Sequence, residues 1–382
     1  MRKIITSLVA FMLVFACAFT FTSCHKQNAT VATYKNDTIT SGMYLIFLIN
    51  SDNAARTLVD EQNADNEDYD SSDVNYYSMQ VTIEAEKEGK EDTKVKFKDY
   101  VRDEAEKSMK QYFYTKSLAD EKKITLTEDE EEEAKSLASY YWYYYGYSTI
   151  YEPNSVSYES YENYILRQQL NFKLFKELYK AGGEKGVTEE KLKEEFENNY
   201  LIADTVNVTL TTTDSEGNST DMTDDEKKEI KDKLDKYAEQ LNAGKITFEE
   251  VYKEYNGDSE ITSSDEDAEQ PKDKYAVVYG SEDTSADNTN YDTIKKLYSK
   301  NGAGYADVIE NETTKQYSLV VTADITKDEY YYDTYLDDLT NLLYNEEYTQ
   351  DMKEASQKIE IDINSYELNY LKPQKIDYQT AS

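Results

Sequence analysis

Apolar positions recur along this chain at two spacings, and the spacing changes from region to region. Between Lys94 and Asp120, residues Phe97, Val101, Ala105, Met109, Tyr112 and Leu118 fall near helical spacing, which predicts an amphipathic helix. Tyr161, Ile165, Leu170, Leu174 and Leu178 predict another, and Gly182, Gly183 and Gly186 end it and mark a domain boundary. Past that boundary Val206, Val208 and Leu210 alternate, the period of a strand with one buried face. Helical spacing returns with Ile230, Leu234 and Leu241, stopped by Gly244. Residues 275–280 then predict a strand, 291–302 a short helix, and 305–310 with 316–325 a hairpin around Asn311. The tail is helical again, with Leu336, Leu339, Leu343 and Met352 near one face, and 359–372 close it as a short strand and turn.

Capping residues sharpen these boundaries. Val31, Thr33 and Ile39 predict short strands around the turn Lys35-Asn36-Asp37, and Thr40 or Ser41 caps an apolar helix from Met43 to Ile49. Residues 51–80 are polar and acidic, which predicts a loop or loose insertion. Thr127 with Glu130, Thr223 with Glu226 and Thr247 with Glu250 are spaced as capping boxes, and Thr188 caps a further helix. The acidic run Glu128 to Glu133 suits the positive end of a helix dipole and predicts a helix start rather than a metal site. Together the elements predict an α+β chain, predominantly helical, in which a mixed β-α-α-β-α-β-β stretch interrupts helices.

The N-terminus carries a different message. Arg2 and Lys3 precede a mostly apolar run from Ile4 to Phe21, followed by Thr22, Ser23 and Cys24. This predicts a secretory signal over residues 1–23. The segment resembles a bacterial lipobox, which implies cleavage before Cys24 and lipid on its sulfur. A transmembrane anchor and a plain signal peptide are the competing readings. With Cys17 lost and Cys24 lipidated, no thiol remains for a disulfide, a zinc site or a nucleophile. His25 is the single histidine and sits beside the anchor, which rules out histidine triads and histidine metal sites in the folded body. Neither a metal nor a cofactor is expected. The formal net charge of −36 repels nucleic acid and anionic lipid. The 38 tyrosines supply the apolar area that keeps so charged a chain from disorder.

Several segments resemble the extracytoplasmic foldases of the PrsA and SurA type. "VATYKNDTIT" before an apolar helix is similar to that family's opening. "KSMKQYFYTKSLADEKKITLTEDE" is similar to its helix and turn, with Lys123 where the family has glycine. "LNAGKITFEEVYKEYNGD" is similar to its parvulin segment. The resemblance implies a split helical chaperone domain of SurA-N type, residues 24–185 completed by 327–382, with a parvulin-like α+β domain inserted at 186–326. Parvulins of this family isomerise prolyl bonds, against a barrier of about 18–20 kcal/mol, with two sheet histidines. Those positions align with Val208 and Ser318, so no catalytic residue is expected. The implied function is a lipid-anchored extracytoplasmic chaperone of unfolded or folding secreted proteins. An active isomerase with an atypical site is the alternative, and a solute-binding lipoprotein a more distant one.

The run "SYYWYYYGYSTIY", residues 139–151, then acquires a possible role. Six consecutive aromatics, Tyr140 to Tyr145, cannot all be buried by one helix docking on one side. Either they are core with incidental surface, or Tyr140, Tyr141, Trp142, Tyr144, Tyr145 and Tyr147 line a client-binding cradle, joined by Tyr330 to Tyr335. Tyrosine suits such a surface because it offers a flat apolar ring and a hydroxyl that tolerates water.

Overall fold

The computed structural model describes residues 28–66, 69–83, 92–213, 219–257, 271–272, 274–281 and 290–378. Cys17, Cys24 and His25, residues 214–218 and most of the polar stretch before residue 274 lie outside the described residues. In chain order the elements begin with β1 (Thr30–Tyr34), β2 (Asp37–Thr40), α1 (Ser41–Gln62), β3 (Gln80–Ile83) and β4 (Thr93–Lys96). Helices α2 (Phe97–Lys122), α3 (Glu128–Tyr143), α4 (Ser148–Tyr151), α5 (Tyr158–Tyr179) and α6 (Glu189–Asn199) follow. Next come β5 (Tyr200–Thr209), β6 (Thr211–Thr213), β7 (Ser219–Asp221), α7 (Asp224–Asn242) and α8 (Phe248–Asn256). The chain ends with β8 (Ala276–Gly280), α9 (Tyr291–Asn301), β9 (Ala306–Asn311), β10 (Gln316–Ala323), α10 (Glu329–Gln357), β11 (Asp362–Ile363) and α11 (Ser365–Leu368). The protein is therefore α+β and predominantly helical.

The polypeptide divides into two compact units, Met1–Glu177 with Glu346–Ser382, and Leu178–Asn345. In the first, segments far apart in sequence close one core. Strand β11 pairs antiparallel with β1, which pairs with β2, so the C-terminal segment adds the third strand to the N-terminal hairpin. Ile359, Ile361, Leu371 and Ile376 pack on the core that holds Ile46, Leu48, Phe97, Met109 and Phe113.

Helix α1 runs on to Gln62, which corrects the expectation of a loop from residue 51. Ala55 and Val59 continue its buried face, and the charged Asp52 between them and Ile49 is buried with partners. Asp52, fully buried, accepts hydrogen bonds from Arg56 Nε (2.6 Å), Tyr77 (2.7 Å) and Tyr378 (2.7 Å). The Arg56 guanidinium stacks against Tyr76 and Tyr378, 4.5 and 4.7 Å from the ring centroids. Burial beside the Asp52 carboxylate pushes both the Tyr77 and Tyr378 hydroxyls well above the usual phenol range. A second clasp lies at Asn154, which exchanges two hydrogen bonds with the Asp377 backbone. Composition hides such a helix, because a charge satisfied in the core looks like a surface charge in the sequence.

The second unit is built on a four-stranded antiparallel sheet of order β8-β5-β10-β9. On one face Val206, Leu210, Tyr317 and Leu319 pack with Leu234 and Ala238 of α7 and Val251 of α8. On the other, Leu201, Ala203 and Val320 pack with Tyr291 and Ile294 of α9. All three capping boxes form, with each threonine hydroxyl accepting from the amide three residues on and each glutamate accepting the threonine amide.

Candidate functional site

The tyrosine run is organised by how α3 starts and stops. At its start the Glu130 carboxylate accepts from the Thr127 amide (2.7 Å) and from Lys173 of α5. The lysine hydrogen bond, then that of the Thr127 amide, holds the Glu130 carboxyl below its ordinary value. Along its length α3 buries one stripe, Ala134, Ala138 and Trp142, each four residues from the last. At its end Gly146 takes a positive φ of 72°. The Tyr147 amide then reaches back six residues to the Tyr141 carbonyl at 3.2 Å, across the turn that Gly146 makes at the end of the helix. Only glycine adopts that backbone without crowding its own Cβ. The chain turns into α4, and a single face through Tyr140, Tyr144 and Tyr147 does not continue past the glycine.

Trp142 is therefore core, not surface. It is 1% exposed. Its ring lies 6.0, 5.8 and 5.3 Å from those of Tyr151, Tyr158 and Tyr161. Tyr151 donates to Asn50 Oδ1 at 2.9 Å, and burial pushes the Tyr151 and Tyr161 hydroxyls well above the usual phenol range. The expectation that Trp142 lines a client-binding surface is corrected by this packing. Its large ring is what the small Ala134–Ala138 stripe leaves room for, and it fastens α3 to α5.

The neighbours of Trp142 stand in solvent. Tyr143, Tyr144 and Tyr145 are 70%, 74% and 59% exposed, and Leu137, Tyr140 and Tyr147 are exposed as well. The rings of Tyr140, Tyr144, Tyr145 and Tyr147 join through Tyr141 into one surface, whereas Tyr143 lies against Tyr158. Tyr140 stacks on Tyr144 at 4.9 Å and meets the edge of Tyr145 at 5.2 Å. Half-buried Tyr141 stacks on Tyr147 at 5.6 Å. Tyr143 and Leu137 were absent from the expected set. The missed signal was the four-residue repeat Ala134-Ala138-Trp142, which assigns the buried face and by exclusion exposes positions 137, 140, 143 and 144. In the other unit, Tyr331 and Tyr332 are buried and Tyr330 and Tyr335 half-buried, so the expected tyrosine lining at 330–335 is corrected too. Tyr332 packs edge-on against Phe196 and Tyr335 against Tyr200, which makes them part of that unit's core.

The two sheet positions aligned with family histidines are not a pair. Val208 stands opposite Tyr317, and Ser318 opposite Asn207. Cross-strand partners share a face and successive residues alternate, so Val208 joins the α7–α8 side and Ser318 the α9 side. Ser318 is fully buried, donates to Asn207 Oδ1 at 2.6 Å and accepts a long hydrogen bond from Asn290. Asn207 and Asn290 were not expected from the sequence, because their partnership depends on register.

Among the described residues no group of three or more histidine, cysteine, aspartate or glutamate side chains is placed to hold a metal ion, and no helix is long and apolar enough to cross a membrane. No family model matches the chain and no curated protein matches it significantly. Among solved structures the chain is similar to the foldase protein PrsA from Streptococcus pneumoniae str. Canada MDR_19A. That likeness has a TM-score of 0.34 and 13% sequence identity, over 93% of this chain and 96% of the other.

Proposed function

We propose that the chain is a membrane-anchored extracytoplasmic chaperone that holds unfolded or folding secreted proteins on the aromatic surface of α3 and α4. In this reading residues 24–185 and 327–382 make the chaperone part, 186–326 are a parvulin-like insert, and Cys24 carries the lipid. The observation that carries it is the exposed surface of Tyr140, Tyr144, Tyr145 and Tyr147, joined through the Tyr141 ring. Such a surface is costly to leave in water unless something binds it. The acidic remainder of the chain keeps copies apart and so keeps the surface available. Binding unfolded chains lowers their free concentration, and aggregation falls by mass action. The lipobox-like segment, the foldase-like motifs and the family-like opening hairpin support the location and the class.

The test is suppression of light scattering by an unfolding substrate, with the chain and with Tyr140→Ser/Tyr144→Ser/Tyr145→Ser. Loss of suppression in the variant, with unchanged helicity, is the expected result. Full suppression by the variant removes the aromatic surface from the mechanism. The opposite facing of Val208 and Ser318 supports a reading without isomerase chemistry, and a protease-coupled assay on a proline tetrapeptide tests that separately.

A further inference from the structure

Helix α3 is fastened on one side and bare on another. Its stripe Asp129, Glu133, Leu137, Tyr140 and Tyr144 is exposed at every position. The N-terminal half of that face is carboxylate and the C-terminal half aromatic. Glu131 pairs with Lys135 and Glu130 with Lys173. Among the described residues, Glu128, Asp129, Glu132 and Glu133 enter no ion pair. Glu133 and Tyr140 are seven residues apart on one face, about 10 Å at the helical rise. An extended polypeptide covers that distance in about three residues.

We propose that this face selects extended polypeptide segments in which an aromatic or aliphatic residue lies about three residues from arginine or lysine. The inference rests on the client-binding reading above and adds which clients are held. Charge complementarity decides the class. The field of a chain with net charge −36 repels acidic segments. A guanidinium or ammonium is drawn both to the carboxylates and to the tyrosine faces. The protein uses this pairing internally at two of its arginines. Arg56 lies between the Asp52 carboxylate and the Tyr76 and Tyr378 rings. Arg167 lies 3.9 Å from the Tyr112 centroid while Nη1 donates to Asp37 at 3.0 Å. The exposed face of α3 presents the same two chemistries about 10 Å apart, so that a cation and an apolar side chain of one extended segment reach the carboxylates and the rings together.

Three fluorescein-labelled peptides of equal length test this, each with the same leucines and tryptophan and with arginine, serine or glutamate at the remaining positions. Fluorescence anisotropy reads their affinities at low and high salt. The arginine peptide is expected to bind about tenfold tighter than the serine peptide at low salt, the glutamate peptide weakest, and the advantage to collapse at high salt. Glu132→Gln/Glu133→Gln removes most of the advantage and leaves the serine peptide unchanged. Glu229→Gln/Glu239→Gln, an equal charge change at exposed positions on α7, changes neither. Equal binding of arginine and serine peptides, or an equal effect of the α7 pair, overturns the selectivity. If Tyr140→Ser/Tyr144→Ser still weakens the serine peptide in that case, the client surface stands. If that pair changes no affinity, the client surface falls with it. All six positions are exposed, and far-UV circular dichroism checks that the variants fold.

Discussion

Adjacent aromatics in the tyrosine run are predicted to behave oppositely, and Trp142→Ala against Tyr144→Ala is the sharpest comparison. Trp142 is 1% exposed and meets three other rings, whereas Tyr144 is 74% exposed. A buried aromatic side chain removes about 150–250 Å² from water. At about 25 cal/mol per Å² that is about 4–6 kcal/mol, an upper bound because the unfolded chain is itself partly buried. Measured truncations of buried Phe and Trp cost about 3–5 kcal/mol. A loss of about 4 kcal/mol is therefore expected for Trp142→Ala. At about 2–4 °C per kcal/mol for a domain of roughly 150–250 residues, its transition falls by about 8–16 °C. Tyr144→Ala, losing one stacked and otherwise solvated ring, is expected within about 0.5 kcal/mol of the parent. Differential scanning calorimetry measures both. Similar shifts for the two variants would refute the assignment of Trp142 as the residue that fastens α3, and with it the reason why its neighbours are exposed.

Asp52→Ala leaves the Arg56 guanidinium without its buried carboxylate, so a loss of about 3–5 kcal/mol is expected, together with early proteolysis after Lys375 as the Tyr378 clasp opens; unchanged stability in urea would contradict the buried pair. Lys123 holds a left-handed backbone with φ of 58°, so Lys123→Gly is expected to stabilise by up to about 1 kcal/mol, read from the urea midpoint. The Glu130 carboxyl is held below 4.5, chiefly by Lys173; a depressed carboxyl contributes stability above its unfolded value and loses it as pH falls through the folded one. Amide protection in α3 is therefore expected to drop only below pH 4.5, and Glu130→Gln to flatten that dependence in hydrogen exchange. Val208→His/Ser318→His is expected to gain no prolyl isomerase activity in the protease-coupled assay, because the two imidazoles would stand on opposite faces of the sheet.

The sequence by itself determined the local structure wherever the signal was local. The three capping boxes, the hairpin around Asn311 and the alternation of Val206, Val208 and Leu210 are contests between neighbouring residues for backbone and solvent, and they appear as read. The fold class follows from their order. Tertiary structure alone decided what depends on a distant partner. Asp52 looked like surface until Arg56, Tyr77 and Tyr378 satisfied it, and the helix around it was missed for that reason. Val208 and Ser318 looked like a pair until strand register, fixed across more than a hundred residues, turned them to opposite sides. Trp142 looked like one aromatic among six until α5 closed over it. Burial and register are properties of two surfaces meeting, and a single stretch of chain carries only one of them.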